Sequence, residues 1–264
     1  FVGRQASMIF LAAFVGGLAP FCSCEVIPFI AGLLAVGVPL APVMAFWLSS
    51  PLIDPPALLI TAGALGWDYA IAKTIAAVGV GLAGGFVTAA LGRRRLFQDV
   101  LRDREGGGCS SCCGKPFSGE VHWTFWDETE RRGTFRTEAI ANGLFLLKWL
   151  SLAYLLEALL IRYVPAELIG SIVGGDGLGA IVVGALVGAP AYLNGYAAPT
   201  LVAGLIEQGM SSGAAMAFLV AGAISSVPAM AAVWSLVRWP VFSTYLALGI
   251  AGAVTSGILF QFWV

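Results

Sequence analysis

Ala19-Pro20-Phe21-Cys22-Ser23-Cys24-Glu25-Val26-Ile27-Pro28 sets two thiols, a hydroxyl and a carboxylate between two prolines, with long apolar sequence on either side. Proline at both ends opposes a continuous helix through the segment. Inside a bilayer, non-helical backbone survives only where it is buried in protein or lines a cavity. Ionisable side chains at that depth mark pathways and binding sites. The stretch therefore points to an all-α polytopic membrane protein with broken helices, and to 20–28 as its first candidate functional centre.

The composition agrees. Of 264 residues, 59% are hydrophobic and 11% are charged, against roughly 25% charged in soluble domains. Mean hydropathy is +0.89. The lipid bilayer is thus one partner, and a small solute is expected as another. A formal net charge of −1 argues against nucleic acid, whose phosphates demand a basic surface. The 34 glycines suit close helix packing in lipid, as in the spaced pair Gly81 and Gly85. Arg4 to Ala19 also has the outline of a signal peptide, but a similar segment recurs at 177–190.

Apolar stretches fall at 4–19, 26–37, 40–65, 67–92, 139–162, 177–193, 199–209, 211–236 and 238–263. Those at 26–37 and 199–209 are too short to span alone, since a crossing needs about 20 residues. The polar block 93–138 divides a first membrane repeat, 1–92, from a second, 139–264. The halves resemble each other. Ala31-Gly32-Leu33, Gly37, Met44-Ala45-Phe46 and Pro56-Ala57 recur as Ala203-Gly204-Leu205, Gly209, Met216-Ala217-Phe218 and Pro228-Ala229, each 172 positions later (204 − 32). This ungapped register predicts an internal duplication.

Nine of the 14 basic residues lie in the central block, which makes it cytoplasmic by the positive-inside bias. Stretch 67–92 then runs from outside to inside. Its mate 238–263 opens with Arg238 and runs outward, so the repeats are inverted. The crossings balance if 4–37 and 177–209 are re-entrant hairpins with polar tips near the midplane. Inverted repeats with broken helices are the design of secondary transporters. The symmetry also places a mate of 139–162 upstream of Phe1, and an additional transmembrane helix is expected there.

Several residues carry candidate chemistry. Cys22 and Cys24 fall on the same side of an extended segment and form a pair suited to a soft atom; their plainer role is small-residue packing. Ser23 lies between them. Glu25 reads equally as a proton carrier and as an acid compensating a helix dipole. Ser49-Ser50-Pro51-Leu52-Ile53-Asp54-Pro55-Pro56 holds three prolines in six positions, which must open the helix over 40–65 and leave Asp54 deep in the bilayer. Asp54 is either a substrate or proton site or the cap of the half-helix after it. At the same offset Cys22 maps to Asn194 and Asp54 to Ser226, so a second tip around Asn194 and Tyr196 supplies amide and aromatic groups opposite the thiols. Cys109, Cys112 and Cys113, with His122 nearby, form at most a weak metal cluster, because a zinc site wants four ligands in two-pair spacing. No catalytic triad, phosphate loop or dinucleotide fingerprint is evident, so neither an enzyme nor a cofactor is expected.

Pro20-Phe21-Cys22-Ser23-Cys24 with Pro28, then Ala31-Gly32-Leu33, Gly37-Val38-Pro39, Ala45-Phe46 and Ser50-Pro51, resembles the bacterial predicted permease family that includes the ArsP-type organoarsenical efflux permeases. The resemblance is sharpest over 17–57. It implies a multi-pass permease of the bacterial inner membrane that exports trivalent organoarsenicals such as methylarsenite, with cysteines handling the substrate. Two other readings stay open: a transporter of a transition metal ion or reduced sulfur compound, and a membrane thiol redox or metal-handling protein. Nothing in the sequence fixes the oligomeric state, and a homo-oligomer is compatible with it.

Overall fold

The computed structural model describes residues 5–19, 26–35, 37–92, 129–163, 177–190, 197–225, 230, 233–234 and 236–264. These residues are almost wholly helical. In chain order the helices are α1 (Gln5–Leu18), α2 (Val26–Ala35), α3 (Leu40–Ser49), α4 (Pro55–Leu65), α5 (Trp67–Leu91), α6 (Thr129–Tyr163), α7 (Leu178–Gly188), α8 (Ala198–Glu207), α9 (Ser212–Ile224) and α10 (Trp239–Trp263). By length and composition α5 and α10 can each cross a membrane, and the bent pair α3–α4 makes a third if it is one span.

The 172-residue register holds in three dimensions. Displaced by that number, α2 falls on α8 and α5 on α10, end for end. Both short arms close alike. Gly37 and Gly209 take positive φ (83° and 101°), a backbone conformation that an added Cβ would strain. Val38 N–H donates to Leu33 O and Gly37 N–H to Leu34 O at 3.0 and 3.1 Å. Met210 and Gly209 repeat the pattern onto Leu205 O and Ile206 O, both at 3.0 Å. This double bond is the Schellman closure, which satisfies carbonyls that a helix end would leave orphaned.

Helix contacts repeat as well. A Cβ on Gly16 would lie 2.7 Å from Phe46 O, and one on Gly188 would lie 2.6 Å from Phe218 O. A Cβ on Gly85 would meet Ala45 Cβ at 2.8 Å, and one on Gly257 would meet Ala217 Cβ at 2.8 Å. Glycine at these positions lets α1, α3 and α5 close on one another, as it does α7, α9 and α10. The core between them is apolar, with Met44, Trp47, Leu48, Met216, Phe218 and Val220 buried.

The two sets meet along α5 and α10. Gly84 lies against Leu248, Gly252 against Val80, and the Tyr69 and Phe260 rings sit 4.5 Å apart. Residue numbers fall on one helix as they rise on the other, so the helices run antiparallel. Val80 and Gly252 are themselves equivalent positions.

Helix α6 starts at Thr129, ten residues before the apolar stretch predicted at 139. The added turns are Thr129-Glu130-Arg131-Arg132-Gly133-Thr134-Phe135-Arg136-Thr137-Glu138. Glu and Arg are good helix formers, and a reading led by hydropathy passes over them. Leu144, Leu147 and Leu155 on this helix are exposed.

Candidate functional site

The break predicted in the stretch 40–65 is present. Helix α3 ends at Ser49, a 3-10 turn covers Ser50–Leu52, Ile53 and Asp54 are extended, and α4 restarts at Pro55 with a bend of 47°. Pro51 and the Pro55-Pro56 pair lack the amide hydrogens a continuous helix would need. Ser49 Oγ donates back to Ala45 O (2.9 Å) and Phe46 O (3.1 Å), which closes the last turn of α3. Ser50 is buried, and its Oγ has no hydrogen-bond partner.

Asp54 stands at the N-cap of α4, yet its side chain makes no capping hydrogen bond; its carbonyl accepts from Leu58 N–H at 2.8 Å. A carboxylate placed there purely to cap would bond an amide of the first turn. One charge that interacts with Asp54 is on Lys73 of α5, which is 6% exposed. Lys73 is seven residues into a 25-residue apolar helix. The sequence reading passed over it, although the signal was plain: it is the only basic residue in 67–91.

Several elements converge on this break. Its 3-10 turn touches α1, α5 and α9, and α4 lies against α8. Gly16 of α1 closes on Ser49, and a Cβ on Gly17 would meet Ile53 Cδ1 at 3.3 Å. The last turn of α1, immediately before the 20–28 segment, therefore leads into the break.

The second half has a break of its own. Helix α9 ends at Ile224, and Ser225 Oγ donates to Ala221 O at 2.9 Å. Tyr245 of α10, the equivalent of Lys73, donates its hydroxyl to Ile224 O. Its ring stacks on Trp47 of α3, with centroids 4.7 Å apart. The tyrosine thus joins the second break to a helix of the first half.

Of the predicted site residues, Asp54 is placed here. Cys22, Ser23, Cys24, Glu25, Asn194, Tyr196 and Ser226 lie outside the described residues, as do Cys109, Cys112, Cys113 and His122. Among the described residues no three His, Cys, Asp or Glu side chains gather as metal ligands.

Apolar helices long enough to span, with a bent pair broken at Asp54, mark a membrane protein. The chain belongs to the predicted permease family ArsP_1, whose match covers residues 3–262. It is also similar to UPF0718 protein MJ0584 of Methanocaldococcus jannaschii, 33% identical over 72 residues. That match covers 27% of this chain, and the chain spans about a fifth (20%) of that relative's length. No solved structure matches the chain.

Proposed function

We propose that the protein is an inverted-repeat permease that exports a small, soft, thiol-seeking solute, with trivalent organoarsenicals such as methylarsenite as the first candidates. The observation that carries this reading is the broken span at Ser50–Asp54, which sets a carboxylate that makes no capping hydrogen bond at the restart of the helix. Ionisable groups within a span mark transport pathways.

Inversion of the repeats is supported by the antiparallel contact of α5 and α10 at equivalent residues. Re-entrant hairpins are supported by the apolar pocket that Leu11 of α1, Leu33 of α2 and Val43 of α3 line together, since α1 and α2 then share one end of the first half. In the proposed cycle Cys22 and Cys24 hold the soft atom, Ser23, Asn194, Tyr196 and Ser226 complete the wall, and Asp54 and Glu25 couple movement to protons. Residues 93–138 face the cytoplasm, and the protein resides in the inner membrane of a bacterial cell.

Everted vesicles test this directly. Uptake of methylarsenite should require a proton gradient and should disappear in Cys22→Ser and Cys24→Ser with protein level unchanged. Full uptake by the double cysteine variant would return those thiols to a packing role. Competition by copper in place of methylarsenite would favour the metal-ion reading.

A further inference from the structure

The start of α3 and the start of α9 are equivalent positions, but they are finished in different ways. At α9 the chain closes its own helix end. Ser211 Oγ accepts from Ala214 N–H, and Gln261 of α10 reaches across so that its Oε1 accepts from Gly213 N–H at 2.9 Å. Beside it Phe260 is buried and packs on Tyr69, with ring centroids 4.5 Å apart. Shifted back by 172 positions, Gln261 becomes Ala89, Phe260 becomes Thr88 and Gly213 becomes Ala41. Pro39 gives α3 no side-chain cap. Ala89 ends in a methyl group, and Ala41 N–H has no acceptor among the described residues.

The smaller side chains leave room. A cavity of about 590 Å³ lies at this end of the first half, with Gln5, Leu40, Ala41, Thr88 and Ala89 in its wall. Thr88 is 1% exposed, and its hydroxyl has no hydrogen-bond partner. Thr61, Thr74 and Thr255 each donate to the carbonyl four residues earlier; Thr88 does not. Buried donors left without acceptors are costly. The Ala41 amide, the Thr88 hydroxyl and the Gln5 carboxamide can all donate, and a helix start adds partial positive charge, the combination that binds anions. The opposing carbonyl charge at the end of α5 is partly answered, because Gly92 N–H donates to Thr88 O at 2.7 Å.

We propose that this cavity binds a phosphate group, with a phospholipid headgroup as its first source. A phosphate oxygen there takes the place that Gln261 Oε1 fills at α9. The position in the fold favours a lipid. Helix α5 is long and apolar enough to cross a membrane, and the cavity lies at its last turn. Its 25 residues extend roughly 37 Å against a hydrocarbon core of about 30 Å, so its ends reach the headgroups. The site is separate from the break at Ser50–Asp54 and does not depend on which solute the permease carries.

Three probes test this on the purified protein in dodecyl maltoside at constant ionic strength: inorganic phosphate, dihexanoyl phosphatidylglycerol below its micelle threshold, and dihexanoylglycerol, which lacks the phosphate. The thermal unfolding midpoint reports binding. Phosphatidylglycerol should bind at least about tenfold more tightly than inorganic phosphate, through the added burial of its acyl chains, and dihexanoylglycerol should not bind. Thr88→Val should weaken binding about tenfold, the effect of losing one hydrogen bond to a charged group, while Thr88→Ser should keep it. Ala89→Gln supplies the side chain that caps α9. It should raise the midpoint of the free protein and abolish binding, and it carries the test if Thr88→Val fails to fold. Equal affinity for inorganic phosphate and phosphatidylglycerol keeps the site and assigns it to soluble phosphate. The proposal is overturned if neither phosphate probe binds or if dihexanoylglycerol acts as well as phosphatidylglycerol. Wild-type affinity in Thr88→Val or Ala89→Gln, or loss of binding in Thr88→Ser, overturns it too.

Discussion

The breaks after α3 and after α9 occupy equivalent places in the two halves but are held by different chemistry. In the first, a bend of 47° brings the Asp54 carboxylate to a helix start, where it makes no capping hydrogen bond. In the second, Tyr245 ties the last carbonyl of α9 through a neutral hydrogen bond. The scaffold is shared down to single glycines, whereas the groups at the breaks are not. Backbone geometry is thus what the two halves share, and polar chemistry is where they differ.

The largest effect should come from the shared scaffold. Gly16→Leu and Gly188→Leu each force a side chain into a backbone carbonyl of the neighbouring helix, and overpacking of this kind costs about 3 kcal/mol or more. Both variants should lose the monodisperse peak in size-exclusion chromatography to a similar degree. If one is tolerated, the halves are not equivalent in packing.

Next is the charged break. Asp54→Leu removes an acid that acts electrostatically on the buried Lys73, and the change should destabilise the fold. Thermal unfolding in detergent should show the loss, while Ser226→Ala at the equivalent position should shift the midpoint little. Equal shifts would remove the asymmetry between the breaks.

Tyr245→Phe keeps the ring on Trp47 and deletes only the hydroxyl. Loss of that hydrogen bond to the Ile224 carbonyl should cost about 1–2 kcal/mol, seen as a lower unfolding midpoint with methylarsenite uptake by the vesicles unaltered. A changed uptake would make the second break part of the transport site. The smallest effect belongs to Ser49→Ala and Ser225→Ala. Their hydroxyls bond back to carbonyls of their own helices, carbonyls that already serve the helical ladder, so each loss should stay below about 1 kcal/mol.

The sequence made the frame legible wherever the physics is local. Three prolines in six positions marked the break to within a residue or two, because proline removes donors wherever it stands. The long runs 67–92 and 238–263 were readable because crossing lipid demands continuous apolar sequence, and they match α5 and α10 closely. The ungapped register of Met-Ala-Phe and Pro-Ala pointed to the offset at which helix bounds and glycine contacts recur. What escaped depends on contacts between distant segments. Nothing in Gly16 or Gly188 alone distinguishes a glycine closed on a carbonyl from many others in the chain. Tyr245 reads as an ordinary aromatic until α9 is seen to end beneath it. Lys73 was visible but was outweighed by the cysteines, since a single charge near a helix start also fits an interfacial anchor; its burial separates the two. The cysteine-bearing segment itself lies outside the described residues, so its chemistry remains a reading of the sequence.

The seam between α5 and α10 has a consequence for ancestry. Because Val80 meets its own counterpart Gly252 on an antiparallel helix, the seam is self-complementary in the manner of a twofold dimer interface. If the halves descend from one unit, an identical pair could have built this seam, and only a fused chain could then hold a lysine at position 73 and a tyrosine at position 245. One-sided charge is something a strictly symmetric pair could never possess.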